Sequence, residues 1–173
     1  MTLHQQIYQA LSAQKYCYCD KTTAIEPIVQ RLEDDGCDCA YIDLATIDSQ
    51  SSSEQFYLKL IQTICSSLDL TNTLQPTQWW QDLDYISPVQ RMDEFFGEIL
   101  LNKTQHIVII ITNWTTLHCS SDGFLRIIRC CYEQRNTNPN YQRLSFGLLG
   151  CNPTKLMKDK NSTPFNVGQH IQH

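Results

Sequence analysis

A run of branched apolar residues from Ile107 to Ile111 (IVIII) constrains this chain more than any other segment. Uninterrupted β-branched side chains suit a strand buried on both faces, and such strands belong to parallel sheets covered by helices above and below. Tyr16 to Cys19 and Cys39 to Leu44 read as further strands, and Leu144, Phe146 and Leu148 alternate as a last one. Between them apolar residues recur at helical spacing: Ile25, Ile28, Val29 and Leu32; Tyr57, Leu60, Ile61, Ile64 and Leu68; Val89, Met92, Phe96 and Ile99; Phe124, Ile128 and Cys131. Strands alternating with helices predict an α/β fold, three-layered, with a mostly parallel sheet and helices on both faces.

The boundaries follow from where these periods start and stop. Leu3, Ile7 and Leu11 make residues 1–14 an amphipathic N-terminal helix, residues 15–155 form a single α/β domain, and residues 156–173 read as an irregular C-terminal tail. Ser87, Pro88 and Gln90 predict a helix start with a capping box, and Gly36 marks a helix end. Thr23 with Glu26 has the spacing of a second capping box. The helical period breaks down over 69–86, an insertion or long loop that holds Pro76, Trp79 and Trp80. Two readings of the tryptophans stand side by side: exposed contact residues for a partner, or anchors that pack back on their own domain.

Composition excludes several classes. The 173 residues suit one domain, and 42% apolar with 18% charged residues is a globular balance. Net charge is −5 and the 13 Lys and Arg are scattered, which removes the electrostatic drive toward nucleic acid or an anionic membrane. No membrane-inserting segment or basic leader is evident, and the expected location is cytoplasmic. The 9 cysteines are odd in number and several sit in apolar runs, so reduced core thiols are expected. The pairs Cys17/Cys19 and Cys37/Cys39 raise zinc as an alternative, but no C-x-x-C or nearby histidine completes a familiar ligand spacing. His4 and His106 are isolated, and His170 and His173 read as solvated tail residues with weak chelation as the alternative. His118 beside Cys119 offers a thiol and a base, yet adjacent side chains diverge. No metal-dependent catalytic motif is expected.

Ligands of such folds sit at the carboxyl ends of the strands, which directs attention to residues 20–23, 43–46, 112–115 and 150–154. At this point a resemblance enters. The segments CAYIDLATI (39–47), EQFYLKL (54–60), SPVQRMDEF (87–95), IVIII (107–111), CYEQRNTNPNYQRLSFGLLG (131–150) and DKNSTPFNVGQ (159–169) together resemble the AAA-like domain of STAND-type signalling ATPases, P-loop proteins common in cyanobacteria. The resemblance ends at Phe165 to Gln169, where that family continues into a helical region that senses nucleotide state, so a truncated domain is expected.

The resemblance implies a phosphate loop ending Gly-Lys-Ser-Ser after the first strand. Asp20, Lys21, Thr22 and Thr23 stand there, with Lys21 and Thr22 as a vestigial phosphate site and Asp20 in place of the last glycine. It also implies a metal-positioning Asp and a water-activating Glu after the buried strand. Thr112 and Asn113 take those places, and Thr115 that of a third acid. Independently of the resemblance, Glu26 and Asp20 put negative charge at the positive end of the helix dipole, and Pro27 removes a donor from its first turn. The Asp43 carboxylate reads as a polar strand end engaged in hydrogen bonds. Trp114 reads as core or interface.

The expectation is therefore a pseudo-ATPase: a non-hydrolysing AAA-like domain without cofactor, acting as a protein-binding or regulatory module that is free to form a homo-oligomer. The alternative is a residual ATP and magnesium binder using Lys21 and Thr22, with weak or partner-dependent turnover.

Overall fold

A computed structural model describes residues 1–114, 120–156 and 167–172. The sheet has five parallel strands in the order β2-β3-β4-β1-β5: β1 is Cys17–Cys19, β2 Asp38–Asp43, β3 Ile107–Thr112, β4 Leu144–Leu149 and β5 Gln169–His170. The Ile107 to Ile111 run is completely enclosed, as its composition requires, and pairs with β2 on one side and β4 on the other.

Alternation along the strands sends side chains to two cores. Ile107, Ile109 and Ile111 join Ala40, Ile42, Phe146 and Leu148 under α3 (Ser53–Ser67), α5 (Pro76–Asp82), α6 (Pro88–Asn102) and α7 (Ser121–Gln134). Val108 and Ile110 point the other way with Cys17, Cys19, Cys39 and Leu149, beneath α1 (Leu3–Ser12) and α2 (Glu26–Asp34). Gly147 belongs to this second face. A methyl group there would stand 3.3 Å from a Leu11 methyl, so the missing side chain lets α1 lie flat on the sheet.

The helix starts follow local chemistry. Ser87 caps α6 and Gln90 reaches back to the Ser87 amide, completing the expected capping box. Ser52 and Gln55 do the same at α3, and Thr2 and Gln5 at α1. The Thr23–Glu26 box does not form. The N-cap of α2 is Ile25, with no side-chain cap, because the Thr23 hydroxyl is taken by the His4 imidazole at 2.8 Å.

Two further expectations are corrected. Residues 69–86 are largely helical, with α4 (Thr71–Leu74) and α5 joined at Gln75, which adopts φ 46°. Short helices on either side of a left-handed residue leave no long apolar period to read. A short α8 (Pro153–Leu156) follows β4, and the 156–173 tail is not wholly irregular: β5 adds a strand beside β1 through bonds from Gln169 N to Tyr16 O (2.8 Å) and from Ile171 N to Tyr18 O (2.9 Å).

Candidate functional site

Strand order fixes where a ligand crevice would open. The connection from β1 to β2 runs through α2 on one face, while α3, α6 and α7 carry the later connections on the other. The adjacent strands β1 and β4 therefore send their chains to opposite sides, and the crevice lies between their carboxyl ends.

At this point the pairing of β1 and β4 runs past the strand ends. Gly150, directly after β4, donates its amide to Cys19 O at 2.8 Å and to Lys21 O at 3.2 Å, and Cys151 N also reaches Cys19 O at 3.0 Å. Gly150 holds φ 79°, and Thr22 lies so close that a methyl on Gly150 would meet its Cγ2 at 2.8 Å. The Thr22 side chain thus lies against Gly150, and Thr22 and Lys21 are both exposed.

The start of α2 faces the same region. Pro27 has no N–H, and the amides of Ile28 and Val29 both donate to Ile25 O at 3.0 Å. Glu26 adds an acidic side chain to this turn. Of the amides in this first turn, that of Pro27 is missing and those of Ile28 and Val29 are engaged within the helix, and Glu26 places negative charge at the positive end of its dipole.

Asp20 and Thr23 have acquired partners that their sequence neighbourhood did not announce. His170 of β5 stacks on Tyr18, with ring centroids 4.7 Å apart, and its Nε2 lies 3.3 Å from the Asp20 carboxylate. It is a sheet residue and not a solvated tail histidine. His4 comes from α1 to Thr23. Helical spacing placed His4 on α1 correctly, but no feature of the sequence tells which strand end that helix meets.

The end of β3 is organised by β2. Thr112, 6% exposed, shares a hydrogen bond of 2.9 Å with the Tyr41 hydroxyl. Asn113 adopts φ 60° and donates from Nδ2 to Asp43 Oδ1 at 2.7 Å; the same oxygen accepts from Ala45 N at 2.9 Å. The expected role of Asp43 as a hydrogen-bonded strand end agrees with this arrangement. Neither Thr112 nor Asn113 carries a negative charge at neutral pH, and the acid beside them, Asp43, is engaged by two donors. Trp114 turns inward, stacks on Phe124 and donates to Ile111 O at 3.1 Å, so it is core. Thr115, His118, Cys119 and His173 lie outside the described residues.

The tryptophan pair packs back on the domain. Trp80 is 3% exposed, donates from Nε1 to Glu54 Oε2 at 2.7 Å and carries the Arg91 guanidinium 4.6 Å above its ring. Trp79 is half-buried against Phe95. Trp80 is therefore removed from the exposed contact residues: its indole completes the packing of α5 on α3.

The cysteines of the described residues are free thiols. Burial pushes Cys17 and Cys39 up to about 12, which makes them inert core groups. Among the described residues no group of three or more His, Cys, Asp or Glu side chains is arranged to hold a metal ion, and no helix is long and apolar enough to cross a membrane.

A three-layer parallel sheet with its switch point between β1 and β4 defines a P-loop-type α/β domain. The sequence comparison agrees: the model of the AAA-like domain family matches residues 13–173, and the chain belongs to that family. It is also similar to an uncharacterized WD repeat-containing protein of Synechocystis sp., a cyanobacterium, at 31% identity over 179 residues. The match covers 96% of this chain and 15% of that protein, so the chain spans a small part of its relative's length. No solved structure matches.

Proposed function

We propose that this AAA-like domain is a pseudo-ATPase with degenerate Walker motifs, which neither binds nor hydrolyses nucleotide and serves as a protein-binding or regulatory module. The observation that supports the reading is the end of β3, where Thr112 bonds to Tyr41 and Asn113 to Asp43 in place of acids that could hold a metal. A triphosphate needs donors to line its site and a metal held by acids. Thr112 and Asn113 supply no such charge, and a polyphosphate without its cation would face Asp20 and Glu26. The module's location is taken to be cytoplasmic, and its partners to be proteins.

The rival reading keeps Lys21 and Thr22 as a weak site for ATP and magnesium. Calorimetric titration with MgATP separates them. No heat at millimolar nucleotide is the expected result; saturable micromolar binding that disappears in Lys21→Ala would overturn the proposal.

A further inference from the structure

The outer face of α6 carries features that the fold does not use. Val89, Asp93, Gly97, Leu101, Glu94 and Glu98 share this side of the helix, opposite the buried stripe of Met92, Phe95, Phe96 and Ile99. Val89 is 42% exposed and Leu101 76%, and Tyr85, just before the helix, is 77% exposed. Two clefts flank the face and share Glu94. One, of about 370 Å³, runs between α6 and α7 and is walled by Ile86, Val89, Asp93, Ile127 and Cys130. The other, of about 210 Å³, is more polar and is walled by Gly97, Glu98, Leu101, Gln134, Asn138 and Asn140.

The charge on this face is one-sided along α6. Glu94 and Glu98 stand one turn apart, a spacing at which like charges repel. Among the described residues no ion pair forms with either of them or with Asp93. The Asp93 Oδ1 atom is buried without a hydrogen-bond partner. Burial, and then the neighbouring Glu94, hold the Asp93 carboxyl above its usual range. The cation of the larger cleft, Arg126, stands on the α7 wall.

Gly97 lies in the middle of this helix face. A glycine in a helix interior weakens the helix, and a methyl group at Gly97 would meet nothing closer than the Tyr141 hydroxyl at 3.6 Å, an ordinary contact. The domain's own packing therefore does not require glycine. A missing side chain between two clefts does allow another backbone to approach closely.

We propose that the outer face of α6 is the docking surface for a basic amphipathic helix of a partner protein. Its apolar side chains enter the larger cleft and cover Leu101, its backbone crosses at Gly97, and its Lys or Arg side chains meet Asp93, Glu94 and, at the polar smaller cleft, Glu98. The charge complementarity selects the occupant: an acidic or neutral helix would leave these carboxylates facing apolar surface. The proposal rests on the reading of the domain as a protein-binding module.

The test uses the full chain and two labelled peptides, one with Leu and Lys at amphipathic helical spacing and one with Glu replacing every Lys, followed by fluorescence anisotropy. The Leu/Lys peptide is expected to bind saturably and the Leu/Glu peptide not at all. Glu94→Gln with Glu98→Gln is expected to weaken binding about tenfold, while the same loss of charge on α2, Glu33→Gln with Asp34→Asn, changes it less than about twofold. Gly97→Leu is expected to block binding with the circular dichroism spectrum unchanged. Equal losses in the two charge variants, or binding undiminished by Gly97→Leu, would overturn the proposal. So would a dimer in sedimentation that Gly97→Leu dissolves, which would assign the face to a second copy. Repeating the titration with MgATP present keeps the two ideas apart: nucleotide binding would remove the pseudo-ATPase reading and leave the α6 result standing.

Discussion

The Asn113 side-chain amide donates to the Asp43 carboxylate across 2.7 Å, tying the end of β3 to the end of β2. In an active phosphate-hydrolysing site of this class the residue after the buried strand would be a base. Here it is Asn113, a neutral donor to the neighbouring carboxylate that sits in a left-handed turn.

An acid placed at this position would create a repulsive pair. Asn113→Asp is expected to lower stability by about 1 kcal/mol at neutral pH, and the loss should shrink as the carboxylates protonate toward pH 4. Urea unfolding at the two pH values measures it. A variant as stable as the parent at pH 7 would show that the Asn113–Asp43 contact carries no weight.

Trp80 reports on folding and not on binding. Trp80→Ala removes a buried indole and a donor to Glu54, and is expected to cost about 3–5 kcal/mol, against a smaller loss for the half-buried Trp79→Ala. Thermal unfolding of the two single variants gives the comparison; equal melting temperatures would contradict the burial.

The nearness of Thr22 to Gly150 predicts a coupling. Gly150→Ala meets Thr22 Cγ2 and a strained φ together, and is expected to destabilise by about 2 kcal/mol. Thr22→Ser removes the methyl, so the double variant should recover part of the loss while the backbone strain remains. Additive effects in the double-mutant cycle would mean that Thr22 does not press on Gly150.

His106 gives the fold a pH dependence. Its ring is partly buried between Ser145, 2.9 Å from Nε2, and Cys37, 3.5 Å from Nδ1. Burial, with Arg135 as a second cause, lowers its pKa to about 4. In the unfolded chain the imidazole takes a proton near its ordinary value of 6.5, while the folded protein resists protonation until pH 4. The unfolded state therefore binds more protons over this window, and stability falls as pH drops through it. Partial exposure of the ring keeps the expected loss to about 2 kcal/mol. His106→Asn should flatten this part of the stability profile, and a profile unchanged by the substitution would refute the assignment.

The sequence exposed the sheet class because IVIII can be buried only between two layers, and the Ser87 cap because Ser, Pro and Gln act within one helical turn. Those are local signals. The partners of Thr23, Asp20 and Trp80 were not legible, because His4, His170 and Glu54 reach them from other elements and depend on how whole helices and strands dock. Strand β5 was missed for a related reason: Gln169 and His170 carry no apolar alternation, and their strand character comes from the exposed backbone edge of β1. That Thr112 and Asn113 carry no negative charge was readable in the sequence, whereas their bonds to Tyr41 and Asp43 required the register of β2 on β3.

Those last paired residues also shield a neighbour. With Gln169 and Ile171 bonded to it, β1 has a strand on each side; a protein cut before Val167 would leave the open amides and carbonyls of Tyr16 to Tyr18 as a raw template for intermolecular pairing, and such a fragment should clump in solution even though nearly all of its interior remains intact.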